Sequence, residues 1–168
     1  MIKNLQFANL EIKIQEESDS VTYTFKGDVD ENFLQAEVPR IKRDNIIFEL
    51  AGIRNFNSCG IREWIYFIKD IGAYGKMTFR ACSVAVIDQI NLVPDSIGAG
   101  EIESFYGPYY CECQGEVSRL INVKDHAKYL EKKIAPPIAC EKCQKPLEFD
   151  ALEESYFLFT TDTLKSTG

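Results

Sequence analysis

Apolar and polar residues alternate in two short stretches near the start of the chain. Leu10, Ile12 and Ile14 occupy every second position, and Val21, Tyr23 and Phe25 do the same after the polar turn Glu17-Ser18-Asp19-Ser20. A period of two predicts a half-exposed antiparallel pair of strands. Asp28 followed three residues later by Glu31 has the form of a capping box, which predicts a helix start limited downstream by Pro39. From Ile46 to Leu50 the run is almost continuously apolar, as in a parallel strand covered on both faces.

Beyond that strand the period lengthens. Ile61, Trp64, Ile65, Ile68 and Ile71 recur at helical spacing, with Arg62, Glu63, Lys69 and Asp70 between them. This predicts an amphipathic helix over 58–72, ended by Gly72 and Gly75. Met77, Phe79 and Ala81 then predict a strand. Ser83 opens a short helix carrying Val84, Ile87 and Ile90, which stops before Pro94. A glycine-rich loop leads to another strand, Glu101 to Phe105. The order β-β-α-β-α-β-α-β over residues 1–105 implies parallel pairing with right-handed crossovers.

The tail of the chain reads differently. Phe105-Tyr106-Gly107-Pro108-Tyr109-Tyr110 marks a transition, and its aromatic residues read as the packed seam between two units. Short strands are predicted at Val117 to Val123, Leu147 to Phe149 and Tyr156 to Phe159. Residues 8–105 therefore form an α/β unit with a mixed sheet, and 106–168 a small β-rich unit. So small a core needs a staple such as a metal ion.

Composition and charge narrow the function. At 45% hydrophobic and 27% charged, the 168 residues suit a folded soluble protein. The first residues lack the apolar run of a signal peptide, and no stretch has the length of a membrane span, so a cytoplasmic location is expected. The net charge is −7. Both units contribute, with 11 basic against 16 acidic residues in 1–105 and 8 against 10 in 106–168. Such a surface repels phosphate backbones, which argues against nucleic acid as a partner.

Two groups of residues carry chemistry. The first is Cys111, Cys113, Cys140 and Cys143, two close pairs separated by a long loop. Zinc takes four thiolates in a tetrahedron, and this arithmetic is that of a zinc ribbon with a structural Zn2+. Cys140 and Cys143 have the usual two-residue gap, whereas Cys111 and Cys113 are separated by Glu112 alone. The single histidine, His126, lies in a polar stretch and reads as a surface residue rather than a replacement ligand. Cys59 and Cys82 read as small buried hydrophobes, Cys59 at the mouth of the predicted helix.

The second group is Asn57-Ser58-Cys59-Gly60 at the mouth of the predicted helix. Asn57 or Ser58 would each serve as a passive helix cap worth about 1 kcal/mol, and the other reading of Ser58 is a phosphorylation switch adding about −1.5 to −2 charges. No residue pattern assembles a nucleophile with a base, and no phosphate-binding glycine motif occurs, so an enzyme is not expected.

The β-β-α-β core, the buried strand and Asn57-Ser58-Cys59-Gly60-Ile61 opening an amphipathic helix resemble the STAS domain of sulfate transporters and anti-sigma factor antagonists, over residues 8–105. The run Asn57 to Ile65, with Gln89-Ile90-Asn91-Leu92-Val93-Pro94 and Phe105 to Cys111, resembles bacterial STAS-like proteins carrying a C-terminal zinc-ribbon-like extension. In the antagonists an Asp-Ser-[Ser/Thr]-Gly motif is phosphorylated on its first hydroxyl residue by a partner that is both kinase and anti-sigma factor. Ser58 and Gly60 match that motif, while Asn57 stands in place of the aspartate and Cys59 in place of the second hydroxyl residue. The resemblance implies a signalling adaptor that binds a partner protein of the anti-sigma factor kinase class through Asn57, Ser58, Cys59 and Gly60, with phosphorylation at Ser58. The alternative from another class is a zinc- or thiol-based redox sensor.

Overall fold

The computed structural model describes residues 1–161 and builds them into two sheets and four helices. The α/β class predicted from the pattern holds. The end of the second predicted unit, residues 162–168, lies outside the described residues.

The first sheet has six strands in sequence order. They are β1 (Ile2–Gln6), β2 (Leu10–Glu16), β3 (Ser20–Val29), β4 (Asn45–Phe56), β5 (Lys76–Arg80) and β6 (Glu101–Ile102). The first three are antiparallel and the last four run parallel. Edge strand β1 is an addition to the expected order. Its side chains are mostly exposed, so its apolar alternation is weak.

Register places Tyr23, Phe48 and Phe79 side by side across three strands. Helix α1 (Ser58–Ile71) lies on this row and buries Trp64, Phe67, Ile68 and Ile71. The Trp64 ring meets Phe25 edge-on at 5.2 Å, and its Nε1 donates to the carbonyl of Ser96 at 2.8 Å. The apolar face is turned slightly from the one the spacing predicts. Phe67 is buried, and Ile61 and Ile65 are half-buried. Helix α2 (Val84–Leu92) is capped by Ser83, whose side chain accepts from the N–H of Val86.

Three expectations fail, each because tertiary register overrides a local signal. The helix expected after Asp28 does not form. Strand β3 continues to Val29, which pairs with Phe56 of β4. The chain then turns at Asp30, whose carboxylate accepts from the N–H of Asn32 and the side chain of Asn9. Only a 3₁₀ turn, Gln35–Glu37, follows. Strand β4 is also not covered on both faces. Ile46, Phe48 and Leu50 point into the core, while Glu49 stands half-exposed on the other face. There Arg80 bonds Glu49 at 3.3 Å and Glu103 at 2.6 Å, a polar ladder in place of a second helix layer. The third failure is the strand expected at Tyr156 to Phe159. Those residues form α4 (Glu153–Tyr156) and a 3₁₀ turn, Phe157–Phe159. Both Tyr156 and Phe157 are buried, which an alternating strand with one solvated face does not allow. The Asn91 side chain fixes the turn by donating to the Tyr156 carbonyl and accepting from the Phe159 N–H.

The strand expected over Glu101 to Phe105 forms in two pieces, because the chain changes sheets at Glu103. Strand β7 (Ser104–Cys111) is the centre of the second sheet, flanked by β8 (Gly115–Asn122) and the two-residue β9 (Glu148–Phe149). The Gly107-Pro108 pair argues against a central strand. Its tolerance is local, because the Pro108 carbonyl faces Asp150, just beyond the end of β9. The proline nitrogen therefore points to a side where the ladder has already stopped. Phe105 and Tyr109 are buried among Phe149, Tyr156, Phe157 and Phe159, and the Tyr109 hydroxyl donates to the Pro136 carbonyl. One continuous apolar core includes residues of both sheets. Helix α3 (Ala127–Glu131) contributes Leu130 to it. Among the described residues no helix is long and apolar enough to cross a membrane.

Candidate functional site

The four cysteines of the tail converge. Their sulfur atoms all lie within 4.8 Å of one another. Cys111 Sγ is 3.5 Å from that of Cys113 and 3.4 Å from that of Cys143, and Cys113 Sγ is 3.4 Å from that of Cys140. Four sulfurs on a tetrahedron about 2.3 Å from one ion stand about 3.8 Å apart. The observed spacing is therefore close to that of a four-thiolate metal site, and far longer than a sulfur–sulfur bond of about 2.05 Å. These residues can hold a metal ion.

Local backbone chemistry explains the short Cys-x-Cys gap. Cys111 ends β7 and pairs directly with Gly115 at the start of β8. Glu112, Cys113 and Gln114 are thus a three-residue hairpin loop. Gly115 closes it with φ +77°, a left-handed conformation that glycine adopts without a Cβ penalty. The tight loop aims Cys113 back over the strand end, beside Cys111. The second pair sits on a separate knuckle. Cys140 N–H donates to the Lys145 carbonyl, Gln144 N–H donates to the Cys140 carbonyl, and Gln144 itself is left-handed at φ 65°. The chain reverses there, so both sulfurs face the hairpin.

The sulfurs are not equivalent. Backbone N–H groups of Cys143 and Lys142 point at Cys140 and draw its thiol down to about 6. The side chain of Gln114 also donates to the Cys140 sulfur at 3.1 Å. Cys113 is pushed up to about 12, first by sharing a hydrogen with Cys140. Cys111 and Cys140 are buried, Cys143 is half-buried and Cys113 is exposed. A groove of about 670 Å³ beside the cluster is bounded by Tyr110, Glu112, Lys145 and Leu147.

The second predicted group also comes together, on the other sheet. Asn57, rather than Ser58, is the cap of α1. Its side-chain oxygen accepts from the Gly60 N–H at 2.8 Å, and its amide donates to Glu31 at 2.6 Å. Gly60 is buried with a stringent requirement, since a Cβ there would lie 1.8 Å from the Val29 carbonyl oxygen. Asn57 N–H donates to that same carbonyl. The end of β3 thus pins the helix mouth through the backbone. Ser58 and Cys59 remain exposed on the first turn.

Exposure of Cys59 corrects the expectation that it is a buried hydrophobe. Cys82 does behave as one, with its thiol pushed up by burial. His126 stands outside the sulfur cluster, on a 3₁₀ turn after β8, with a ring nitrogen 3.1 Å from the Asn122 carbonyl. Sequence reasoning missed Gln114 and Gly115. A glycine two residues after a Cys-x-Cys pair, behind a polar residue, is the hairpin signal that would have revealed them. Comparison with protein-family models gives no match to this chain, and comparison with curated proteins gives none.

Proposed function

We propose that this chain is a non-enzymatic signalling adaptor in which Cys111, Cys113, Cys140 and Cys143 hold one structural zinc ion. The convergence of four sulfurs from two separate backbone reversals carries the metal reading. Zinc fits because all four donors are soft and no protein-free position remains among them. When bound, the ion contributes folding energy to the tip of the second sheet.

The docking half of the proposal rests on Asn57, Ser58, Cys59 and Gly60, with Ser58 and Cys59 exposed and the buried Gly60 seating the turn against Val29. Asn57 takes the capping role, so the Ser58 hydroxyl is not consumed by its own helix. It sits one residue past the cap, beside the partial positive charge of a 14-residue helix. By its likeness to anti-sigma factor antagonists, this surface binds a partner protein, and a serine kinase acting on Ser58 is the class of partner proposed. A phosphate there gains from the helix dipole and repels an acidic partner surface.

Affinity capture from the native cell, with intact-mass analysis of the recovered bait, tests both halves. The wild-type chain is expected to carry one zinc and to retain a partner that Ser58→Asp loses at unchanged fold. Equal capture by both forms rejects the switch, and a bait mass without metal rejects the zinc.

A further inference from the structure

We infer that Cys113 is an oxidation site through which a hydroperoxide opens the metal centre, with Cys140 as the thiol that resolves it. This inference rests on the metal reading above and names how that site is regulated. In a loaded centre all four sulfurs are thiolates. Access and hydrogen bonding then decide which one reacts. The structure separates the four on both counts. Cys113 is exposed, on a hairpin loop outside the ladder, whereas Cys111 and Cys140 are buried. Cys140 is further covered by the Gln114 amide at 3.1 Å and by the N–H groups of its own knuckle. Burial keeps a solvent oxidant from reaching Cys140 first, while its sulfur stays within 3.4 Å of that of Cys113. The groove of about 670 Å³ reaches Cys111, Cys113 and Cys143 and gives a small oxidant a path to Cys113.

The chemistry closes with hydrogen peroxide as oxidant. The Cys113 thiolate attacks one peroxide oxygen, an S–O bond forms, the O–O bond breaks and hydroxide leaves. The sulfenic acid is a poor zinc ligand. The Cys140 thiolate, 3.4 Å away, then attacks the Cys113 sulfur and displaces a second hydroxide. Two sulfurs lose one electron each, peroxide gains two, and solvent protons convert both hydroxides to water. Zinc keeps its charge and leaves a site with only two thiolates. Cys111 is a poorer resolving partner, because a disulfide to a residue two positions away closes a small strained ring.

The test uses the full zinc-loaded chain carrying Cys59→Ser, which removes the other exposed thiol. Metal content is measured first, then free zinc is followed with a chromophoric chelator as peroxide is added. Non-reducing peptide mapping locates the products. One zinc released per peroxide, with a Cys113–Cys140 cross-link, supports the inference. Limiting N-ethylmaleimide on the same protein is expected to modify Cys113 about tenfold faster than Cys111 or Cys140. Zinc retained at a large excess of peroxide overturns it, as does first modification at Cys111, Cys140 or Cys143. A chain with no metal at the outset overturns the zinc reading itself, and is told apart by the initial metal measurement.

Discussion

In the six-stranded sheet, Tyr23, Phe25, Phe48, Trp64 and Phe67 interlock with ring centroids 5.2 to 6.4 Å apart. At the tip of the three-stranded sheet stand four sulfurs instead, all within 4.8 Å of one another. The difference is one of cooperativity. An aromatic core spreads its stabilisation over many contacts, so the loss of one ring weakens it by a few kcal/mol and leaves the rest. On the zinc reading proposed above, the tip concentrates its stabilisation in a single ion, and removing one ligand removes most of the effect.

That contrast is broken most directly at a ligand. Cys140→Ser is expected to abolish zinc retention and to expose the amides around 111–115 and 140–147 to rapid hydrogen exchange. Structural zinc sites are worth about 10–16 kcal/mol in apparent binding energy. Unchanged exchange at the tip would mean that the sulfurs do not hold it. Next in size, Phe67→Ala should lower unfolding stability by about 3–5 kcal/mol in a denaturant titration. Zinc content should stay at the wild-type level, since Phe67 packs in the first sheet. Gly60→Ala puts a methyl against the Val29 carbonyl and should cost about 3 kcal/mol. A crystal structure of that variant should show the mouth of α1 displaced from β3. Smallest is Asn57→Ala, expected to cost about 1 kcal/mol by loss of the cap to the Gly60 N–H. A loss under a few tenths of a kcal/mol would show that the backbone pin at Val29 suffices.

Periodicity carried the first sheet well. Leu10, Ile12 and Ile14, and Val21, Tyr23 and Phe25, lie buried on one face as their alternation requires. The spacing from Trp64 to Ile71 placed α1, and Ser83 marked the start of α2. What the pattern could not carry was competition between local and distant partners. Asp28 and Glu31 have a helix-start spacing, yet Val29 is worth more as the pairing partner of Phe56. Ile46 to Leu50 is apolar enough for a two-sided strand, but Ile47 and Glu49 line a face bridged by Arg80. Tyr156 to Phe159 is aromatic enough for a strand, and Asn91 holds it in a turn instead. In the sulfur site the donor identities were legible because four cysteines in two pairs leave few alternatives. The asymmetry among them was not. It comes from the Gln114 amide, the Gly115 turn and the depth of each strand end; the two hairpin residues have a signal in the glycine two positions after the Cys-x-Cys pair, and the depth of the strand ends has none. At the helix mouth the cap and the exposed hydroxyl could not be assigned from sequence, since Asn57 and Ser58 both suit the capping position.

The most direct measurement of the central claim is zinc-edge X-ray absorption on the purified full chain. A first shell of four sulfurs at about 2.3 Å is expected, with no nitrogen or oxygen contribution. A shell with fewer sulfurs and a light-atom scatterer, or protein with no bound zinc, would contradict it.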